Sequence, residues 1–233
     1  LDWTAAADDM PDFRGPSRDG SVVSPRFEDD WTSQPPKELW RRPCGEGYAA
    51  FAVVGPAAVT IEQRDENEAV VCYDIQTGEE RWIYQYPASF FEGLGGPGPR
   101  AAPLIADSDV FTLGALGDLL CIDLTSGEPR WSVNVLKENG LVQNDKPLTP
   151  VWALSGAPLV EGELVIVNAG GPSGNGLVAY DRKDGSVIWK GEGLRTVQVG
   201  ESSQNRAGYS SPQIATIQDV KQVLIFDGVG IRG

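Results

Sequence analysis

The chain contains no histidine. That absence removes Ser-His-Asp and Cys-His catalysis from these residues. It also removes the commonest side-chain ligand of transition metals. Basic residues are few: 19 Lys and Arg stand against 33 Asp and Glu, a net charge of −14. A general nucleic-acid binder needs a basic footprint, so that partner class is excluded. Docking on anionic lipid is disfavoured for the same reason. No apolar run reaches the 18 or so residues of a membrane span. No signal-peptide pattern is present and the single methionine is Met10, so a processed, trimmed or truncated product is expected. The three cysteines, Cys44, Cys72 and Cys121, are an odd set that no closed disulfide framework can use in full. A sustained 3.6-residue apolar period is missing, so helix should be minor.

Glycine and proline are what the chain has in excess, with 28 and 17 residues. Together they make up about a fifth of the sequence, against a usual eighth or so. Many short elements joined by turns follow from that. The apolar fraction of 41% is too high for a disordered chain.

A repeat organises the sequence. The pattern Asp-x3-Gly-x3-Trp occurs at Asp74, Gly78 and Trp82, at Asp123, Gly127 and Trp131, and at Asp181, Gly185 and Trp189. Composition alone would give roughly 0.06 occurrences. Short apolar stretches precede each copy, and Trp40 opens the first unit. The tryptophans fall roughly 40 to 60 residues apart, with four short strands per period, which is the pattern of a β-propeller blade. Each glycine falls where a tight hairpin needs positive φ. Each aspartate can bond backbone N–H groups of the same turn. Each tryptophan begins an outer strand and should pack between neighbouring blades. These nine residues read as structural, since a catalytic carboxylate would not be stamped into every blade. Cys72 and Cys121 share one repeat position that Ala179 fills in the third copy, so they read as small buried apolar residues. Cys44 has no counterpart and reads as a free thiol.

The expected fold is therefore all-β: a partial β-propeller of about four four-stranded antiparallel blades. Residues 1–36 form an irregular N-terminal or closure segment, with a strand near 21–28, lying loosely against the first blade. Residues 37–233 form the repeats, in units of about 37–82, 83–131 and 132–189 and an incomplete 190–233. An open arc from a ring of about eight blades is the expected whole.

Cys/Ala-x-Asp-x3-Gly-x3-Trp resembles the tryptophan-docking repeat of the pyrroloquinoline quinone (PQQ) propellers. DFRGPSRDG (12–20), ELWRRPCGEGY (38–48), GGPGPRAAP (95–103) and GYSSP (208–212) look like a subgroup of bacterial PQQ-like β-propeller repeat proteins. The resemblance covers nearly the whole chain. It implies an extracytoplasmic protein, periplasmic or secreted, with any membrane anchor outside these residues. The superfamily includes quinoprotein alcohol dehydrogenases, which use PQQ and calcium, and a periplasmic outer-membrane assembly lipoprotein, which uses neither. The dehydrogenase pattern includes a vicinal disulfide beside the quinone, and this sequence has no Cys-Cys pair. Nor does it show a clear acidic and amide set for calcium.

Strand order fixes which loops share a face. The long connections, about 85–100, 135–154 and 191–208, all enter innermost strands on one face, and long loops are where function usually sits. Their ends carry Tyr48, Arg100, Trp152, Asn205, Arg206 and Tyr209. Gln63, Arg64 and the glycine-rich stretch 170–176 come from neighbouring loops on that face. Aromatics with arginines at a channel mouth suit a flat anionic or polar ligand. The alternative is that these residues only pack the loops. Three decoys are set aside. Gly93, Gly95 and Gly98 spell a dinucleotide fingerprint, but Pro97, Pro99 and Pro103 preclude its helix. Asp107 and Asp109 read as a turn rather than a calcium loop. The run Asp65-Glu66-Asn67-Glu68 reads as a solvated loop.

The sequence thus favours a non-enzymatic binding or scaffold propeller, with a protein or a small anionic or polar ligand as partner and no cofactor evident. The alternative is a PQQ-dependent alcohol or aldehyde dehydrogenase fragment, with PQQ and calcium as its cofactors.

Overall fold

The computed structural model describes residues 9–21, 30–170, 176–191, 197–199, 202–204, 208–227 and 230–233. Three four-stranded antiparallel sheets follow one another along the chain. The first holds β1 (Ala52–Val54), β2 (Ala57–Arg64), β3 (Asn67–Asp74) and β4 (Glu80–Pro87). A hairpin of β5 (Phe91–Glu92) and β6 (Gly96–Pro97) leads onward. The second sheet holds β7 (Leu104–Ala106), β8 (Asp109–Leu113), β9 (Asp118–Asp123) and β10 (Pro129–Asn134). Next come α1 (Val135–Glu138) and a hairpin of β11 (Val142–Gln143) and β12 (Lys146–Pro147). The third sheet holds β13 (Leu159–Glu161), β14 (Leu164–Asn168), β15 (Leu177–Asp181) and β16 (Val187–Lys190). Another hairpin, β17 (Val197–Val199) and β18 (Ser202–Gln204), precedes a fourth sheet of three strands. These are β19 (Gln213–Ile217), β20 (Val220–Phe226) and β21 (Ile231–Arg232). The fold is a propeller arc, nearly all β, with α1 the single helix among the described residues.

The middle strands of the first three units are almost wholly buried. In β2 and β3 both faces are buried: Val59, Val70 and Cys72 pack against the second unit, and Ala58, Ala69, Val71 and Tyr73 cluster within the first. The larger cores lie between blades. One joins Phe111, Leu113 and Trp131 of the second unit to Val165, Val178 and Tyr180 of the third. Another joins Val59, Val70 and Cys72 of the first to Val110, Leu120 and Ile122 of the second. Cys72 and Cys121 are buried free thiols and Cys44 is an exposed one.

The repeat residues form one mechanical device. Gly78, Gly127 and Gly185 have φ of 68°, 77° and 74°, a left-handed region where a side chain would be strained. Space is the second constraint. A Cβ on these glycines would lie 2.4, 2.7 and 2.7 Å from the rings of Trp40, Trp82 and Trp131. Each tryptophan therefore docks on the next repeat turn along the chain. Its indole N–H donates to the carbonyl one residue after the repeat aspartate: Trp40 to Ile75 at 2.9 Å, Trp82 to Leu124 at 2.8 Å, and Trp131 to Arg182 at 2.8 Å. Within the turns, Asp74 accepts from the amides of Gln76 and Thr77, and Asp123 from those of Thr125 and Ser126.

Two expectations change. The acidic run 65–68 is not all solvated loop. Asp65 sits in the two-residue turn between β2 and β3 with φ 55°, while Asn67 and Glu68 already belong to β3, and Glu68 is fully buried. The N-terminal segment is not confined to the first unit either. Its residues 9–20 run along the inner edges of the sheets. Met10 exchanges backbone hydrogen bonds with Val53 of β1, and Pro11 accepts from the Ile105 amide of β7 at 2.7 Å. Arg18 donates to the carbonyl of Pro158, beside β13, at 2.8 Å, and Gln213 of β19 donates to Ser17 at 3.4 Å. Innermost strands present unpaired backbone to the axis, and this segment satisfies part of it. The strand expected near 21–28 lies outside the described residues.

Asp107 takes φ 54° in the turn between β7 and β8. Its carboxylate pairs with Arg182 at 2.8 Å, and Asp109 accepts from both Arg130 and Arg182. These acids hold the second unit to the third. No helix among the described residues is long and apolar enough to cross a membrane.

Candidate functional site

The inner strands are entered by four short segments with a common layout. Tyr48, Arg100, Ser155 and Tyr209 each stand three residues before Phe51, Pro103, Pro158 and Pro212. One position of the repeat is thus presented four times at the mouth of the arc. The structure gathers all four around one cleft of about 640 Å³, together with Leu94, Gly95 and Trp152.

Each side chain is held by a local cause. The Tyr48 amide donates to Pro99 O at 2.8 Å, which ties the first entry segment to the second. Arg100 lies with its guanidinium carbon 5.4 Å from the Tyr48 ring centre and 5.0 Å from that of Phe90. It donates to the carbonyls of Gly98 at 2.6 Å and Gly96 at 3.1 Å. Cation–π contact and two backbone acceptors fix its plane. Gly95 lies close beneath it: a Cβ there would sit 2.8 Å from Arg100 Nη2. Glu92 closes the β5–β6 turn by accepting from the amides of Leu94 and Gly95, and those bonds hold its carboxyl below the usual range. Trp152 and Tyr209 pack with ring centres 5.4 Å apart at an interplanar angle of 40°. Ser155 Oγ donates to the Trp152 carbonyl at 3.2 Å.

Arg100 and Ser155 are thus bonded to backbone carbonyls, and several apolar side chains nearby in sequence are exposed. Leu94 is 90% exposed, Phe91 74%, Val151 71% and Tyr48 65%. Of these, Tyr48 and Leu94 line the cleft itself.

Of the residues expected at this mouth, Tyr48, Arg100, Trp152 and Tyr209 come together. Gln63 lies behind them: its side-chain carbonyl accepts from the Phe90 amide at 2.8 Å, and its backbone pairs with Glu46. It supports Phe90, which in turn packs on Arg100. Arg64 is elsewhere. At the end of β2 it bonds Glu62 two residues back on the same face, and also Glu80 and Tyr73. Adjacency to a loop said nothing about those partners. Asn205 and Arg206 lie outside the described residues, as does 171–175 of the glycine-rich stretch. Ser155 was missed, although its offset of three from Pro158 matches that of Arg100 from Pro103.

The resemblance brings a quinone and calcium into question. Among the described residues, no three His, Cys, Asp or Glu side chains converge on a metal position. The cysteines are free, with Cys72 and Cys121 in different units. Arg100 already uses both terminal nitrogens on backbone carbonyls. The donors described here do not fit a quinone–calcium centre.

Comparison with known proteins separates fold from family. The chain is similar to the quinohemoprotein alcohol dehydrogenase of Comamonas testosteroni, with a TM-score of 0.57 at 19% identity over 82% of this chain and 28% of that one. It is similar to BamB of Moraxella catarrhalis, with a TM-score of 0.50 at 23% identity over 73% and 44%. Both likenesses show the propeller fold. In sequence it is 26% identical over 135 residues to outer membrane protein assembly factor BamB of Burkholderia pseudomallei (strain K96243). That match spans 56% of this chain and 30% of the relative. The family model described as outer membrane protein assembly factor BamB matches residues 66–225, and the chain belongs to that family.

Proposed function

We propose that this chain is a non-enzymatic, extracytoplasmic propeller that docks an apolar segment of a protein partner on its loop-rich face. One observation carries the reading: the cleft of Tyr48, Arg100, Ser155, Trp152 and Tyr209, edged by Leu94, whose side chain is almost fully exposed. A small anionic ligand would need a free guanidinium, whereas Arg100 here donates to the chain's own carbonyls at Gly96 and Gly98. A protein partner needs a concave aromatic centre and a rim that excludes water. The relatives' name supplies the setting, a factor in the assembly of outer membrane proteins.

A photo-crosslinking side chain at position 94 tests this in the native envelope, with a second at position 183 on the opposite face as control. The expected result is one dominant protein adduct at position 94, absent at 183. Trp152→Ala should weaken that partner's binding about 30-fold, the size of a central aromatic anchor. Equal adducts from both faces, or no effect of Trp152→Ala, would overturn the proposal. So would turnover of an alcohol by the chain supplied with quinone and calcium.

A further inference from the structure

Glu68 is the buried acid that the repeat does not explain. It stands six residues before Asp74, and the same place holds Gly117 in the second unit and Asn175 in the third. The second unit fills this position with an apolar contact: a Cβ on Gly117 would meet Leu136 Cγ at 2.9 Å. The first unit instead builds a polar cluster around Glu68, whose side chain is fully buried. Tyr86 of β4 donates its hydroxyl to Glu68 Oε2 at 2.5 Å. Across the seam, the Ala115 amide in the β8–β9 turn donates to Glu68 Oε1 at 2.9 Å. Gly114 must lack a side chain, since its Cβ would lie 2.2 Å from Glu68 Oε2 and 2.6 Å from the Tyr86 hydroxyl.

The connection continues to the cleft. The carbonyl of the same Ala115 accepts from the Leu154 amide at 3.2 Å. Leu154 is buried and sits two residues after Trp152. Between them, Ala153 is buried with φ 63°, a strained conformation that persists only when its surroundings enforce it. Glu68, Ala115, Leu154 and Trp152 thus form one continuous chain of bonds from the seam between units to the aromatic wall of the cleft.

We propose that Glu68 is a proton-operated latch that, protonated, closes the seam between the first and second units and holds the loop bearing Trp152, and, ionised, releases it. This rests on the docking reading above and adds its regulation. Burial, the larger cause, pushes the Glu68 carboxyl up from an ordinary 4.5 to about 7, against the lowering effect of the Tyr86 and Ala115 bonds. The groups that face it are the Tyr86 phenol from β4 and the Asp118 carboxylate from β9. Asp118 is itself pushed up by burial, is held by Asn134 at 3.0 Å, and opposes ionisation of Glu68. The sign follows from proton uptake. The closed state binds the proton more tightly than the open one, so closure is favoured below about 4.5 and loses ground as pH rises, until the loss is complete above about 7.

Hydrogen exchange of the Ala115 and Leu154 amides tests this on the chain alone, without any partner. With the carboxyl at about 7 when closed and near 4.5 when open, protection corrected for intrinsic exchange should fall about tenfold between pH 6 and pH 8. Glu68→Gln mimics the protonated form and should abolish that fall while keeping the pH 6 protection. Tyr86→Phe removes a bond that favours ionisation, so the midpoint should move upward. Unchanged protection in the wild type, or the same pH dependence in Glu68→Gln, would overturn the latch. If Glu68→Gln does not fold, an unmoved midpoint in Tyr86→Phe overturns it instead. A failed crosslink at position 94 would count against the docking reading and leave these amides unaffected.

Discussion

Trp131→Ala should destabilise the chain by about 3–5 kcal/mol, the usual cost of truncating a buried tryptophan. For a chain of this size that is a fall in melting temperature of roughly 10 °C. Three losses combine. The ring is 9% exposed and lies in the core shared by the second and third units. It packs 6.0 Å from the Phe111 ring and directly on Gly185, whose conformation leaves space for nothing else. Its indole N–H, bonded to the Arg182 carbonyl at 2.8 Å, holds the very turn whose arginine side chain reaches back to Asp107 and Asp109. Removing the ring therefore loosens two attachments between the same units. Trp131→Phe keeps most of the packing and loses the hydrogen bond, so it should cost about 1–2 kcal/mol. Urea titration read by far-UV circular dichroism separates these values. A cost for Trp131→Ala under about 1 kcal/mol would mean that the docked indole does not hold the seam.

The repeat was legible in the sequence because its parts are local. A turn that needs a left-handed residue, and a ring that needs a bare Cα beneath it, leave the same letters at the same spacing in every unit. What the letters did not say is which turn each ring meets: Trp82 docks on Gly127, not on its own Gly78. The cleft was half legible. Strand order and loop length placed Tyr48, Arg100, Trp152 and Tyr209 on one face, and the structure draws these four into one wall. Arg64 shows where that reasoning stops. Its charge is met by Glu62 and Glu80, and a strand's alternation puts Glu62 on the same side as Arg64. Glu68 shows the reverse. A run of four polar residues suggests solvent, yet β3 starts inside the run and carries Glu68 into the interior. No local signal separates Glu66 from Glu68; only the partner across the seam does.

The N-terminal segment was the least legible, and it carries the second large effect. Arg18→Ala should cost about 3–5 kcal/mol at neutral pH, the range for breaking a buried ion pair by removing one partner. The side chain of Arg18 is 5% exposed and that of Asp12 is 11% exposed, and the two are paired. The same guanidinium donates to Pro158 O at 2.8 Å and to Ala157 O at 3.5 Å, some 140 residues away in sequence. Such a long-range bond leaves no period or spacing behind in the sequence. With Arg18 gone, the Asp12 carboxyl loses its counter-charge while burial continues to push its pKa up. It then takes a proton more readily, so the variant should lose more stability at pH 8 than at pH 5. Arg18→Lys should rescue little, because a point charge cannot span a carboxylate and two carbonyls as the planar fork does. The double variant Asp12→Asn, Arg18→Met should fall closer to the wild type than Arg18→Ala does, since it leaves no buried charge unpaired. Hydrogen exchange at Val53 and Ile105, whose amides bond Met10 and Pro11, reports whether the whole segment lifts away. If Arg18→Ala leaves both amides protected and stability within about 1 kcal/mol of wild type, the segment is a passive covering. If protection at both is lost together, residues 9–20 are a strap that couples the inner strands of successive units, and the arc is held from its axis as well as by its docked tryptophans.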